Sequence, residues 1–377
     1  MKIGIDARLL STPIRGTARY LSNIIKYLPK FDKRNKYYVF QYENMPRENN
    51  FYSYIPIKKS KLPRQIFEHY WLNFVLPRHI EKLGIDIFYT PYVFVPFRKR
   101  NWKNVIAIHD SLTKACPEYY TFHYRKYNDI LIPLSLKRSD IIITVSEAAM
   151  KDIIKYYKVS PDKIKFMHHW IDESYRPISL SEQNKEYLIR KFNLPEQFVL
   201  FVGILEERKN ISGIIKISDI LNSKKINIKF VLVGKPGFGF KQMNLEIQRR
   251  KNRIIHLIDV NDIDLVSIYN LAKIFLFPTH YEGFGLPPLE AMQCGVPVLA
   301  SDNSSMPEVV GEGGLLGGSD DYEFFADKII SLLNDDQFYF EMKLKAIAQA
   351  KKFTSEAHIN KLINIFNKFE KSDIRNH

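Results

Sequence analysis

Short apolar segments alternate with helical segments along almost the whole chain, and this alternation is what most constrains its fold. Buried parallel strands read as continuous apolar runs, and each pair of parallel strands needs a crossover connection, usually a helix. The pattern therefore predicts an α/β protein with two doubly wound parallel sheets. The predicted strands are 2–6, 37–42, 85–89, 105–108, 141–145, 198–203, 228–234, 254–257, 274–278 and 296–300. The main predicted helices are 18–28, 64–83 with an interruption at Pro77, 211–221, 265–272, 289–294 and 354–369.

The chain has 377 residues, which is enough for two domains with one sheet each. We expect a first domain at 1–178 and a second at 179–354, with a polar linker near 175–190. The last segment, 355–377, has apolar residues at helical spacing, so it is expected to form a closing helix that packs back toward the first domain. The two sheets would face each other across a cleft, with ligands at the carboxyl ends of the strands.

The cysteine content and the N-terminal sequence indicate the cellular compartment of the protein. Cys116 and Cys294 are the only two cysteines, and neither lies in a zinc-binding or redox spacing. The sequence starts directly with a strand pattern, without a signal-peptide profile, and no apolar run approaches the ~18 residues of a membrane-spanning helix. We therefore expect a cytoplasmic protein that is soluble or peripheral at the inner face of the membrane.

The net charge of +15 is confined to one half of the chain. Residues 1–180 contain 31 basic and 16 acidic residues, whereas residues 181–377 contain 25 of each sign. Such asymmetry suggests that the first domain meets a polyanion, which could be a nucleic acid, an anionic membrane or a phosphorylated substrate. An ordinary solvated surface is the other interpretation. Nucleic-acid binding is disfavoured because the basic residues are scattered and no helix-turn-helix, zinc-finger or RNA-recognition motif is present.

Two segments of the second half have the residue types of an anion site. Glu282-Gly283-Phe284-Gly285-Leu286 follows a predicted strand and leads into the helix that carries Glu290, and its glycines let backbone N–H groups approach an anion. The other segment, Arg208-Lys209, follows the strand at 198–203. Charge-assisted hydrogen bonds from these cations suit a diphosphate, although an arbitrary Arg-Lys pair is more often simply solvated.

These segments resemble those of glycosyltransferase family 4, whose members are retaining, nucleotide-sugar-dependent enzymes with two Rossmann-like domains facing a cleft (the GT-B fold). The similarity extends over nearly the full chain. It also includes Arg15-Gly16-Thr17-Ala18-Arg19-Tyr20, His109-Asp110 after a strand, Val202 to Asn210, and Ser305-Met306-Pro307-Glu308. The sequence departs from the family pattern at Ala18, Glu207 and Ser355. Ala18 replaces a frequent second glycine, which puts in doubt how closely this loop approaches phosphates.

The resemblance implies a role for each matching residue. His109 and Glu282 would act beside the transferred sugar, with Asp110 as an orienting or helix-capping group, while His168 and His169 are interpreted as hinge or packing residues. No metal and no cofactor are expected, since we recognise no Asp-x-Asp motif of the metal-dependent sugar transferases. The residues expected to bind the donor are Gly16, Arg208, Lys209, Gly283, Phe284, Gly285, Leu286 and Glu290, the last through the ribose hydroxyls.

The resemblance implies a hexosyltransferase of bacterial surface polysaccharide synthesis that acts on a glycan or lipid-linked acceptor. Mannose from GDP-mannose is the first candidate donor, but UDP-sugars remain open, and so does a sugar-nucleotide epimerase on the same fold. Two basic clusters, 58–64 and 98–103, adjoin aromatic segments, and this combination suits an anionic membrane surface. Aromatic residues in the core beside solvated lysines are the alternative.

Overall fold

The computed structural model describes residues 1–11, 16–47, 49–58, 60–97 and 101–373, and they form two compact α/β units. The first unit contains residues 1–115, 121–169 and 355–377, and the second contains residues 116–120 and 170–354. The chain therefore crosses between the units after residues 115, 120, 169 and 354.

All paired strands in both sheets are parallel. The sheet order is β3-β2-β1-β4-β5-β6-β7 in the first unit and β10-β9-β8-β11-β12-β13 in the second. In each sheet the order reverses direction at one place, between β1 and β4 and between β8 and β11. The strands are β1 Lys2–Asp6, β2 Lys36–Tyr42, β3 Tyr52–Ile57, β4 Ile87–Thr90, β5 Lys103–Ala107, β6 Ile141–Thr144, β7 Ile164–Phe166, β8 Phe198–Val202, β9 Lys229–Val233, β10 Ile254–Leu257, β11 Ile274–Phe277, β12 Val298–Ser301 and β13 Gly314–Gly317.

Helices connect these strands, as the parallel order requires. In the first unit they are α1 Gly16–Phe31, α2 Arg64–Tyr70, α3 Leu76–Leu83, α4 Leu112–Ala115, α5 Phe122–Arg138 and α6 Glu147–Tyr157. In the second unit they are α7 Glu182–Phe192, α8 Ile211–Ser223, α9 Phe240–Arg249, α10 Asp262–Leu271, α11 Leu286–Gln293, α12 Met306–Val310, α13 Tyr322–Asn334 and α14 Asp336–Ala350. The last helix, α15 Ser355–Asp373, belongs to the first unit.

Two expectations about the helices were wrong in detail. The expected linker near 175–190 contains the start of α7, where the Ser181 hydroxyl accepts a hydrogen bond from the Asn184 N–H at 3.3 Å and so caps the helix. The segment 64–83 is interrupted before Pro77, by a π-helical turn at Trp71–Val75. Pro77 lies in the first turn of α3, where its missing N–H leaves no helical hydrogen bond unmade.

The strands are buried because helices cover the sheets. Every residue of β4, β8, β11 and β12 is buried, which explains why these strands read as unbroken apolar runs. Within the described ranges, no helix is long and apolar enough to cross a membrane.

Candidate active site

The second unit brings two predicted site segments together at the point where its strand order reverses. Arg208 and Lys209 follow β8, and Glu282 to Leu286 follow β11, and these two strands are neighbours in the sheet. The carboxyl ends of neighbouring parallel strands lie at one edge, and a reversal of strand order opens a crevice there. The sheet therefore places both segments where α/β folds bind ligands.

A buried charge cluster occupies this edge. Glu282 Oε1 accepts hydrogen bonds from both cations, at 3.1 Å from Arg208 Nη1 and in direct contact with Lys209 Nζ. Arg208 also donates to the Tyr281 carbonyl at 2.6 Å and to Glu206 at 2.5 Å. The Lys209 ammonium lies 4.9 Å from the centre of the Phe277 ring. The sequence indicated the two cations and Glu282 separately, and the fold joins them.

The charges in this cluster determine the ionisation of Glu282. Burial alone would raise the pKa of its carboxyl group, but Lys209 and Arg208 outweigh burial and hold the pKa below its ordinary value. Glu282 is therefore an anion at neutral pH. The carboxylate thus neutralises hydrogen-bonding positions of both cations.

The glycine loop before α11 depends on close packing. Gly285 has φ 106°, and a Cβ atom there would lie 2.3 Å from the terminal methyl of Met306. Ser305 braces the same loop, since its hydroxyl is 3.0 Å from the Glu282 carbonyl and 2.7 Å from the Phe284 carbonyl. The Glu282 N–H donates to the Ser304 hydroxyl at 2.9 Å. Ser304 and Ser305 are thus supporting residues whose role the sequence motif did not reveal.

Glu290 lies within α11 and is almost completely buried, with 2% of its surface exposed. It is not an exposed helix glutamate, because Tyr269 from α10 donates a hydrogen bond to Glu290 Oε2 at 2.7 Å. Burial and the nearby carboxylate raise the pKa of Tyr269, which keeps the phenol protonated as a donor. Tyr269 therefore orients the carboxylate that we expected to meet ribose hydroxyls.

Asn210 and Thr279 fix the backbone beneath the charge cluster. The Asn210 side chain accepts from the Gly213 N–H at 3.0 Å, which caps α8, and donates to the Pro278 carbonyl at 2.9 Å. Thr279 donates to the Arg208 carbonyl at 3.1 Å. These bonds tie the loop after β8 to the loop after β11. The only sequence signal for them was an asparagine, a common N-cap residue, immediately before a helical pattern.

The remaining predicted residues belong to the first unit. His109 follows β5, its Nε2 atom is buried without a hydrogen-bond partner, and its Nδ1 lies 3.3 Å from His169 Nε2. The Asp110 carboxylate accepts from the Leu112 N–H at 3.1 Å, just before α4. Gly16 is the exposed first residue of α1. His169 is part of the core of this unit, with 5% of its surface exposed.

Some predicted residues lie outside the described part of the chain, namely Arg15, Lys59, Arg98, Lys99 and Arg100. Across the residues that the structure does describe, no group of three or more His, Cys, Asp or Glu side chains is arranged to hold a metal ion.

Comparison with known proteins supplies independent information. The family model described as Glycosyltransferase Family 4 matches residues 14–175, and the model described as Glycosyl transferases group 1 matches residues 184–353. The chain is 32% identical over 284 residues to the O-antigen chain mannosyltransferase B of Escherichia coli, an alignment that covers 74% of each protein.

Solved structures with the same fold cover almost the whole chain. Sucrose-phosphate synthase from Thermosynechococcus elongatus matches with a TM-score of 0.78 at 18% identity, covering 98% of this chain and 99% of that one. Anabaena Alr3699/HepE, solved in complex with UDP-glucose, matches with a TM-score of 0.72 at 19% identity over 98% and 99% of the two chains. The prediction of two doubly wound parallel sheets is confirmed.

Proposed function

We propose that the protein is a retaining enzyme that transfers mannose from GDP-mannose to a growing bacterial surface glycan. The chain belongs to glycosyltransferase family 4, as its motifs predicted. The observation that carries the proposal is the pairing of Arg208 and Lys209 with the glycine loop after β11, at the reversal point of the second sheet. The choice of mannose and of a surface glycan is supported by the similarity to the Escherichia coli O-antigen mannosyltransferase.

The proposed donor site uses the second unit. Arg208 and Lys209 bind the diphosphate by charge-assisted hydrogen bonds, and Glu290 accepts hydrogen bonds from the ribose hydroxyls. Backbone N–H groups of Gly283 to Leu286 approach the phosphates at the start of α11. When the diphosphate binds, Glu282 gives up part of its contact with the two cations and becomes available to the hydroxyl groups of the sugar.

The proposed transfer retains the configuration of the sugar. The acceptor hydroxyl forms its bond to the anomeric carbon on the face from which the diphosphate leaves, and the bond between that carbon and the phosphate oxygen breaks. The leaving phosphate takes the proton of the acceptor hydroxyl, so the products are the glycoside and the nucleoside diphosphate. Arg208 and Lys209 stabilise the negative charge that develops on the leaving group. His109, whose buried Nε2 atom makes no hydrogen bond, is proposed to bind a sugar hydroxyl.

Binding and turnover with several donors test the proposal. A ligand present at 100 times its dissociation constant stabilises a protein by about 2.7 kcal/mol, which thermal unfolding detects. We expect stabilisation by GDP and GDP-mannose that is lost in Arg208→Ala, together with release of GDP from GDP-mannose in the presence of a mannose-terminated acceptor. Stabilisation by UDP and UDP-sugars alone would reject mannose from GDP-mannose as the donor. The absence of any effect of nucleotides would reject the donor site itself.

We further propose that the first unit docks on an anionic membrane that carries the acceptor. Leu62 before α2, Ile66 and Tyr70 in α2, and Phe74 in the π-helical turn recur every four residues and are about half exposed. The neighbouring helix α5 also has exposed apolar side chains, and the two helices touch where His69 and Tyr127 form a hydrogen bond of 2.6 Å. The exposed apolar residues of α5 are Phe122, Tyr124, Ile130 and Leu134.

Charge favours a lipid surface over an apolar protein partner. Lys58 and Lys61 are exposed beside this apolar stripe, and the net charge of the first half is +15. Each Lys or Arg near an anionic bilayer contributes about 1 kcal/mol to binding. The apolar side chains would enter the headgroup region while the lysines meet the lipid phosphates.

Sedimentation with vesicles tests the docking surface. The parent protein should sediment with phosphatidylglycerol vesicles more than with phosphatidylcholine vesicles, and should be released as salt rises. Ile66→Ser with Phe74→Ser should weaken binding at least tenfold. Phe340→Ser with Leu344→Ser, a matched change of two exposed residues in the second unit, should not. Equal loss in both double variants would show that the stripe is not the docking surface.

A further inference from the structure

Two buried imidazole rings, His169 and His358, and the partly buried ring of His109 meet around Tyr20 in the first unit. His109 follows β5, His169 follows β7, and His358 lies on α15. The ring of Tyr20 on α1 is edge-on to all three, at centre-to-centre distances of 5.0, 4.6 and 5.4 Å. The rings of His109 and His169 are stacked at 5.3 Å, and those of His169 and His358 at 6.3 Å. We call this set the histidine cluster.

One side of the cluster has defined proton positions. His358 Nδ1 lies 2.7 Å from the His168 carbonyl, which can only accept, so Nδ1 carries the proton. In the neutral ring, His358 Nε2 must then accept from the Tyr20 hydroxyl at 3.3 Å, and Tyr20 accepts in turn from Tyr89 at 2.9 Å. This chain of bonds fixes the tautomer of His358 and locks α15 against α1 and β4.

The other side of the cluster is formed by His109 and His169. Burial lowers the pKa of His109 to about 4 and holds the pKa of His169 well below its ordinary value. Both rings are therefore neutral at neutral pH, and the contact of 3.3 Å between His109 Nδ1 and His169 Nε2 holds one proton. This contact couples the tautomer of His109 to the tautomer of His169, and the Pro91 carbonyl, which accepts a hydrogen bond from the His109 ring, is a second group that restrains it.

We propose that His169 is a positioning residue, which holds His109 in one tautomer and one ring orientation for contact with the transferred sugar. The inference rests on the proposed function of His109. The proposed role of His169 runs through its contact with the Nδ1 side of the His109 ring. A catalytic contact is sensitive to such support, since a misplacement of about 1 Å costs up to about 100-fold in rate.

Two substitutions separate hydrogen bonding from packing. His169→Phe keeps an aromatic ring in the stack but removes the hydrogen bond to His109. His169→Gln removes the ring but keeps an amide that can donate or accept near the position of Nε2. We expect His169→Phe to lower kcat for GDP release from GDP-mannose by 10- to 100-fold with the donor KM changed less than twofold. His169→Gln should recover most of that loss. The matched control is His123→Phe, an exposed histidine on α5.

A double-mutant cycle tests whether His169 acts through His109. In a His109→Ala background, His169→Phe should cause no further loss of kcat, because the contact that it supports is already gone. A further loss of tenfold or more, or a kcat of His169→Phe equal to that of the parent, would overturn the proposal.

A spectroscopic readout does not depend on the donor. Nitrogen-15 NMR of labelled histidines distinguishes the two neutral tautomers, and His109 is assigned by the loss of its signals in His109→Ala. We expect one tautomer of His109 in the parent and in His169→Gln, and a mixture in His169→Phe. An unchanged single tautomer in His169→Phe would overturn the positioning role. If the parent releases no GDP, the proposed function fails, while the NMR comparison still decides whether His169 fixes the tautomer.

Discussion

Acidification should destabilise the first unit through His358, and the substitution that reveals this is His358→Asn. His358 is 2% exposed, and burial lowers its pKa from the ordinary value of 6.5 to about 4. The folded state therefore binds fewer protons than the unfolded chain between these two values. The stability that depends on neutral His358 is present above pH 6.5 and is lost as the pH falls toward 4.

The magnitude follows from the two pKa values. Between pH 7.5 and pH 5.0, a histidine with a pKa of about 4 when folded and 6.5 when unfolded loses about 2 kcal/mol of stability. The hydrogen bond to the His168 carbonyl raises the pKa of His358, but burial outweighs that bond and Lys361 acts in the same direction as burial. In His358→Asn the amide still donates to the His168 carbonyl but does not titrate. The pH-dependent loss should therefore be about 2 kcal/mol smaller than in the parent.

Urea unfolding at pH 7.5 and pH 5.0, followed by tryptophan fluorescence, measures this difference. Two of the three tryptophans, Trp71 and Trp102, are in the first unit. His123→Asn is the control, because its side chain is exposed and the same substitution there should leave the pH-dependent loss unchanged. Equal losses in the parent and in His358→Asn would refute the reasoning that a neutral, buried His358 makes the unit acid-sensitive.

The second unit and the proposed metal independence give five further predictions. Arg208→Ala or Lys209→Ala should remove about 2 to 4 kcal/mol of transition-state stabilisation, so kcat/KM should fall about 30- to 900-fold. Near-normal turnover in both variants would show that these residues do not bind the phosphates. Glu282→Gln frees both cations from their carboxylate, so the affinity for GDP in calorimetry should hold or rise while turnover falls. Glu290→Ala should instead weaken GDP binding more than it slows turnover. Gly285→Ala places a methyl group against Met306 at a positive φ, so it should destabilise the protein by about 1–3 kcal/mol in urea unfolding. Activity should persist in EDTA, and a complete loss that Mg²⁺ or Mn²⁺ restores would contradict this.

The strands that sequence reasoning missed are those at the margins of the sheets. β3 is an edge strand that contains Pro56 and is only partly buried, so it lacks the unbroken apolar run of an inner strand. β7 is an edge strand of three residues, and β13 is an edge strand flanked by glycines. The inner strands were predicted correctly because burial on both faces demands apolar residues at every position, whereas edge strands carry no such demand.

The sequence motifs pointed to Arg208, Lys209 and Glu282, but they did not reveal the contacts among these residues. Arg208 and Glu282 are 74 positions apart, and only the adjacency of β8 and β11 places their side chains 3.1 Å from each other. The motifs predicted which residue types follow the strands, but not that Glu282 neutralises Arg208 and Lys209. The histidine cluster is a stronger case. His109, His169 and His358 come from three separated segments with no local pattern in common, so the prediction of hinge or packing residues at 168–169 could not include the bond to His109.

If Arg208 and Lys209 bind the donor as proposed, their internal pairing explains how a basic protein keeps that site selective. The second half of the chain has no net charge, and Glu206 and Glu282 already pair with Arg208 and Lys209. An isolated phosphate would have to displace a buried carboxylate and would form only one set of hydrogen bonds in return. The net gain in binding free energy would therefore be small. A nucleoside diphosphate brings two phosphates together with a ribose for Glu290, so only a ligand with all these groups offsets the cost of opening the pairs. The excess of positive charge in the first half can then attract an anionic surface or acceptor without recruiting phosphates nonspecifically to the donor site.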